Sequence, residues 1–522
     1  MKKNATLLFL LISLSILFSN SGFSQSHAPK REFRGVWVAT VSNLDFPSQP
    51  GLDEAEFTKE WVELTEYFKG ASFNVLIAQI RPAADAFYPS GLAPWSKYLT
   101  GKQGQAPQPF YDPLEIMIRE AHLRGLEFHA WLNPFRASMD LDTQALAETH
   151  PLKRHPEWGV PYGKKIYFNP GIPEVRNYLT EVVEEILVHY DVDAIHFDDY
   201  FYPYKIKGEV FRDSLEFANY GFGFAKLEDW RRNNVNLLIE QISKKIKAVS
   251  PHVKFGISPF GVWRNADKDP VNGSATQAGQ TSYDDLYADI LKWLEKGWID
   301  YVAPQIYWNI GFQVADYETL LHWWSDHSFD RNLYVGQAAY KIAKNKVDAW
   351  HHPSEIPKQI QLNRSDENVS GSIFFNATTM LKNPLGVTDS LRQHYFAHSA
   401  LLPEMQYLES ETPAAPTMYR KVHFKKRVAK LRWTYPPKMP LPAYYVVYRF
   451  EDVKPGDFND PQAILAILPF PEKRTVTFLD DAVEKGKTYS YVVTALNRLS
   501  AESDLSNWKT IQLKKKRIKR IH

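Results

Sequence analysis

Eight times between residues 33 and 400, a short run of β-branched and aromatic residues gives way to a longer run with helical spacing. FRGVWVATV (33–41), FNVLIAQIRP (73–82), LEFHAWLNP (126–134), VDAIHFD (192–198), VKFGISPFG (253–261), IDYVAPQIYW (299–308), NLYVGQAAY (332–340) and SGSIFFNATTM (370–380) read as strands. The helical runs between and after them cover 56–70, 112–125, 172–190, 224–250, 282–297, 316–327, 353–364 and 388–400. Strands alternating with helices build right-handed βαβ units and a parallel sheet. Their nearly continuous apolar character fits strands covered on both faces. Eight such units predict an α/β fold that closes as a (β/α)8 TIM-type barrel over residues 31–402. A doubly wound open sheet is the alternative, but no Gly-rich phosphate loop follows the first strand.

Beyond the barrel the pattern changes. ESETPAAPT (409–417) is Pro-rich and short of bulky apolar residues, so 403–417 reads as a linker. Period-two strands follow at 428–435, 443–450, 463–469, 475–480, 488–497 and 508–513, which predict a small all-β sandwich over 418–513. TYSYVVTALNRLSAESDLS, with Trp433 on an early strand, resembles a fibronectin type III domain. The closing KKKRIKRIH (514–522) reads as a solvated basic tail, with contact to an anionic envelope surface as the sharper alternative. At the other end, residues 1–24 carry two lysines, the apolar run Leu7–Phe18 and a small-x-small site at Gly22-Phe23-Ser24. They read as a signal peptide, so export to a bacterial periplasm or cell envelope, or secretion, is expected. The chain has no Cys, which excludes a lipid anchor at a cleavage-site thiol, disulfides and thiolate metal sites. A net charge of +2 gives no bulk electrostatic reason to bind nucleic acid.

In a (β/α)8 barrel the reactive groups stand at the C-terminal ends of the strands. There the sequence places Arg81 with Asp85 just beyond, Asn133, Asp198-Asp199-Tyr200, Trp263 and Arg264, Gln305, Tyr307 and Trp308, and Asn376. Acids, amides, an Arg and flat aromatic faces suit a sugar: carboxyl groups for the chemistry, polar side chains for hydroxyls, rings for stacking. The 15 Trp and 28 Tyr residues fit such a cleft, or simply large cores. Alternation along the fourth strand turns Asp198 into the barrel mouth, leaves Asp199 at the loop and puts His196 one layer deeper. Asp198 is the candidate nucleophile or base. Asp199 is a second candidate, with loop capping as its alternative. His196 is a substrate-orienting or barrel-core residue. No Glu ends strand five or six, and Gln305 cannot supply a proton, so Asp85 is the first candidate acid, with a loop N-cap as its alternative and the loop acids Asp45, Asp267 and Asp269 also open. No His-x-His, His-Glu-x-x-His or Gly-x-Ser-x-Gly group occurs, so neither a metal, another cofactor nor a serine nucleophile is called for.

REFRGVWVATVSNLDFPS (31–48), IAQIRPAADAFYPSGLAPWSKYLTG (77–101), HAWLNPFR (129–136), VDAIHFDDYFYP (192–203), GISPFGVWRN (256–265) and DYVAPQIYW (300–308) together resemble the bacterial glycosyl hydrolase-like family 10. The resemblance implies an exported barrel glycosidase whose polysaccharide substrate is peptidoglycan glycan already stripped of stem peptides. It points to Asp198 first and leaves the second carboxylate open. A non-catalytic glycan-binding protein and a glycosidase for another polysaccharide are the alternatives.

Overall fold

The computed structural model describes residues 28–408, 410–425, 428–469, 472–513 and 518–520. The signal peptide read at 1–24 lies outside the described residues, as do 514–517 and 521–522 of the basic tail.

The eight barrel strands are β1 (Phe33–Val38), β2 (Val75–Arg81), β3 (Glu127–Leu132), β4 (Ala194–Phe197), β5 (Lys254–Ile257), β6 (Tyr301–Val302), β7 (Asn332–Gln337) and β8 (Val369–Phe374). They close in the order β1-β8-β7-β6-β5-β4-β3-β2. Every neighbouring pair is parallel. Alternation splits each strand between two cores. On β2, Leu76, Ala78 and Ile80 face the helices, while Val75 and Ile77 join Phe33, Trp37, Trp131 and Tyr301 inside the barrel.

Helices form where the spacing predicts them. α1 (Glu54–Gly70) starts at a capping box, in which Asp53 accepts from the Glu56 N–H and Glu56 accepts from the Asp53 N–H. It buries Phe57, Trp61, Leu64 and Phe68 against the strands. α2 (Pro113–Leu123) is capped by Asp112 with Pro113 in its first turn. α3 (Pro173–His189) and α4 (Leu227–Val249) pack on one another. The run 282–297 is helical only over α5 (Ile290–Glu295). Before it, Asp285 accepts from the Thr281 N–H and hydroxyl, and Asp284 pairs with Arg264, so side chains compete with the helix for backbone donors. α6 (Tyr317–Asp326) and α7 (Glu355–Ser365) follow the sequence, whereas 388–400 is helical only to Tyr395, an α-helical turn at Val387–Ser390 running into a π-helical one at Leu391–Tyr395. The loop after β3 carries an antiparallel sheet of Arg136–Ser138, Gly159–Tyr162 and Lys165–Phe168 that the sequence did not reveal.

The C-terminal region is antiparallel throughout. β9 (Thr417–Met418), β10 (His423–Lys425), β11 (Val428–Thr434) and β14 (Thr475–Asp480) form one sheet. β12 (Tyr444–Phe450), β13 (Ile464–Pro469), β15 (Thr488–Leu496), β16 (Lys509–Leu513) and β17 (Ile518–Arg520) form the other. Leu431 and Trp433 of the first share one core with Tyr445, Val447, Tyr491 and Val493 of the second. This region docks where the barrel strands begin. Arg498 reaches Asp191 (2.6 Å) and Asp193 (2.8 Å), and Lys30 and Arg31 meet Glu502. Among the described residues no helix is long and apolar enough to cross a membrane.

Candidate active site

A cavity of about 410 Å³ opens where the barrel strands end. Asp198 and Asp199 both line it, although they are 4% and 2% exposed. β4 stops at Phe197, so Asp198 leaves the ladder on its inward face and the turn carries Asp199 round to the same cavity.

Each carboxyl has its own donors. The Asn133 amide donates to Asp198, and the Tyr200 N–H adds a longer contact at 3.4 Å. Asn133 is itself oriented, because its oxygen accepts from Gln79 at 2.5 Å. Gln79 accepts in turn from the Thr40 and Val41 N–H groups of the first loop. Asp199 accepts from the Tyr204 hydroxyl. Arg136 lines the cavity, stacks on the Tyr200 ring at 4.6 Å and donates to the Pro82 carbonyl.

Burial pushes the Asp198 carboxyl up to about 7; Arg136 opposes that rise and the Asp199 charge adds to it. Burial also raises Asp199, against the hydrogen bonds from Tyr204 and Gln305. The pair therefore holds a proton at a pH where an exposed Asp would have none, and it titrates as a unit. Below it, His196 is fully buried, accepting from the Trp37 indole at 3.2 Å and touching Ser258 at 3.0 Å.

The structure brings Asp198, Asp199, Tyr200, Gln305 and Tyr307 to the cavity wall, with Asn133 one hydrogen bond behind and His196 beneath. Other residues singled out in the sequence stand elsewhere. Arg81 is fully buried against Tyr178, its guanidinium reaching the Tyr178 hydroxyl at 3.2 Å and the Asn133 carbonyl at 3.4 Å. Asp85 lines a different cavity, with Lys97 and Gln103, where it accepts from the Ala83 N–H. Burial raises it to about 6. Trp263 stacks on Trp323 (5.9 Å, 17°), and Arg264 is engaged by Asp284 and Asp269. Trp308 packs edge-on to Phe260, and Asn376 caps the helix Ala377–Lys382. Arg81 is turned aside within β2, where the register is irregular; the others follow the strand ends in sequence, and their loops turn them into packing and capping before they can reach the cavity.

The cavity also has walls that were not singled out: Trp37, Gln79, Trp131, Arg136, Tyr204, Tyr340 and Phe375. Trp37 and Trp131 occupy the last inward positions of β1 and β3, so strict alternation would have found them; on β2 it runs on to Arg81, and the irregular register between Gln79 and Arg81 leaves Gln79 at the wall instead. Arg136 was hidden because its place depends on the antiparallel insertion after β3. Among the described residues no three His, Asp or Glu side chains converge as a metal would require.

Residues 32–352 match the family model described as Glycosyl hydrolase-like 10. The glycosyl hydrolase YngK of Bacillus subtilis (strain 168) is 46% identical over 482 residues, covering 91% of this chain and 92% of the relative. The glycosyl hydrolase DigH of Escherichia coli (strain K12) is 38% identical over 365 residues, covering 66% of this chain and 82% of the relative. Among solved structures, the glycoside hydrolase domain of PgaB (BpsB) from Bordetella bronchiseptica aligns with a TM-score of 0.46 at 12% identity, over 70% of this chain and 99% of that one.

Proposed function

The chain belongs to the glycosyl hydrolase-like 10 family and is a glycoside hydrolase, and we propose that it cleaves bacterial cell-wall glycan, namely peptidoglycan strands without stem peptides. The observation that carries the reading is the carboxyl pair Asp198–Asp199 at one aromatic-walled cavity. Glycosidic cleavage needs one carboxyl group that gives a proton to the leaving oxygen and one that stays charged. The Tyr204 hydroxyl donates to Asp199 and favours its charged form against burial, which suits Asp199 to the charged role. Asp198, pushed up to about 7, carries the proton. Arg136, Gln305 and Tyr307 hold hydroxyls, and Trp37, Trp131 and Phe375 offer faces to sugar rings. The substrate assignment draws on the six motifs that resemble the family. The signal peptide read at 1–24 supplies export to the envelope, and the C-terminal sheets serve as a fibronectin type III-like accessory module over 418–513.

The test incubates the mature protein with intact peptidoglycan, amidase-stripped strands and an unrelated β-1,4-glycan, and reads the products by mass spectrometry. Oligosaccharides released from stripped strands alone are the expected result. Release from the unrelated glycan instead would move the enzyme to another polysaccharide. Asp85→Asn is expected to keep turnover within about tenfold of native, while a collapse of about a thousandfold would return the acid role to Asp85.

A further inference from the structure

Below the cavity the barrel axis is polar. Glu127 and His129 of β3, His196 of β4 and Tyr301 of β6 are all buried there, and they form one continuous chain of hydrogen bonds. Nδ1 of His196 lies 2.9 Å from the Tyr301 hydroxyl, which lies 2.8 Å from Nδ1 of His129. Nε2 of His129 lies 3.0 Å from Glu127, which pairs with Lys254. An aliphatic core would fill this space without placing polar groups out of water. The neighbouring strand makes room for the chain: a Cβ at Gly256 would stand 1.8 Å from the Tyr301 ring.

The direction of every proton follows from one group. The Trp37 indole can only donate, so Nε2 of His196 must be a bare acceptor. Burial keeps the ring neutral, which puts its single proton on Nδ1. That proton goes to the Tyr301 oxygen, the phenol proton goes to Nδ1 of His129, and Nε2–H of His129 goes to Glu127. The two histidines are therefore opposite tautomers. Ser258 lines the cavity, and its hydroxyl proton points down, shared between the Nε2 lone pair of His196 at 3.0 Å, which also takes the Trp37 N–H, and the Phe197 carbonyl at 3.4 Å.

We propose that the Glu127–His129–Tyr301–His196 chain is a positioning device for the reaction, holding His196 as an acceptor beneath the cavity so that Ser258 faces the substrate with lone pairs alone. The substrate group seated on Ser258 must then be a donor, a sugar hydroxyl or an acetamido N–H. That last step rests on the glycan reading of the cavity.

Histidine-selective 15N labelling of the native protein tests the chain without substrate. His196 is expected protonated on Nδ1 and His129 on Nε2. A shared tautomer, or Nε2–H on His196, overturns the proposal. Tyr301→Phe keeps the ring in its slot and removes the linking oxygen. It is expected to leave near-UV dichroism unchanged, to mix the His196 tautomers and to lower kcat/KM about 10- to 100-fold, the scale of a small misplacement. Turnover within twofold of native overturns the proposal. Should that variant not fold, Ser258→Ala at the cavity surface is expected to lose about tenfold, and full activity there is equally fatal. Should the native protein cleave no glycan, the substrate reading fails, while the tautomer spectrum still decides for or against the chain.

Discussion

Two adjacent carboxyl groups removed from water set the behaviour of the site with pH. The folded pKa of Asp198 is raised to about 7, above its unfolded value of roughly 3.9. Between those values the folded protein binds more protons than the unfolded chain. The stability from this group is therefore full below about pH 4 and is lost as pH rises through about 7. Asp198→Asn is expected to raise the melting temperature at pH 8, by the equivalent of about 1–3 kcal/mol, while removing at least about three orders of magnitude of turnover. Melting curves at pH 5 and pH 8 check this, and an unchanged difference between the two would refute the assignment. Turnover itself is expected to decline above about pH 7, where Asp198 loses its proton. Arg136 lowers the Asp198 pKa, so Arg136→Gln is expected to move that decline to higher pH. A pH profile of kcat/KM for both proteins reads the shift. The place of the pair is legible at the level of letters; its division of labour is not, since the sequence reads Asp198 as nucleophile or base and Asp85 as the acid. Asp-Asp after AIHF named the pair, because a strand end in a barrel has one inward direction. Asp85 misled for the same reason: being near a strand end is not the same as pointing into the mouth, and the turn after β2 tucks it beside Gln103 instead.

At the scale of elements the eight strands could be read because each is short, apolar and bounded by polar turns, and closure needs nothing more specific than that pattern. The antiparallel insertion after β3 could not, since its strands of three and four residues are too brief to show a period. Arg136 went unnoticed with it. The seam between β1 and β8 has a requirement of its own. A Cβ at Gly371 would lie 2.1 Å from the Phe33 carbonyl oxygen, in the ladder where Phe33 pairs with Gly371. Gly371→Ala is expected to push these strands apart and to destabilise the protein by about 3 kcal/mol. Chemical denaturation measures it, and a loss below about 0.5 kcal/mol would mean that the seam yields freely.

Across the whole molecule the barrel and the C-terminal sheets share an ionic joint that no local pattern announces, because its partners lie far apart in sequence. Asp193 is buried, and it accepts from the Phe128 N–H at 2.8 Å and contacts His122 at 2.8 Å as well as Arg498. Arg498→Met removes one partner from a buried charge that keeps the others. Arg498 itself is partly exposed, so a cost of about 2 kcal/mol is expected, short of what a fully buried pair would lose. A single calorimetric transition that moves down as one, rather than splitting, would show that the two parts melt together; two separate transitions would refute the joint. The same joint bears on how the chain is made. Ribosomes deliver the barrel first and residue 498 near the end, and Glu502, which ties down Lys30 and Arg31, arrives later still. The base of the barrel is therefore tied down only once synthesis has passed residue 502, more than a hundred residues after the last barrel strand has been made.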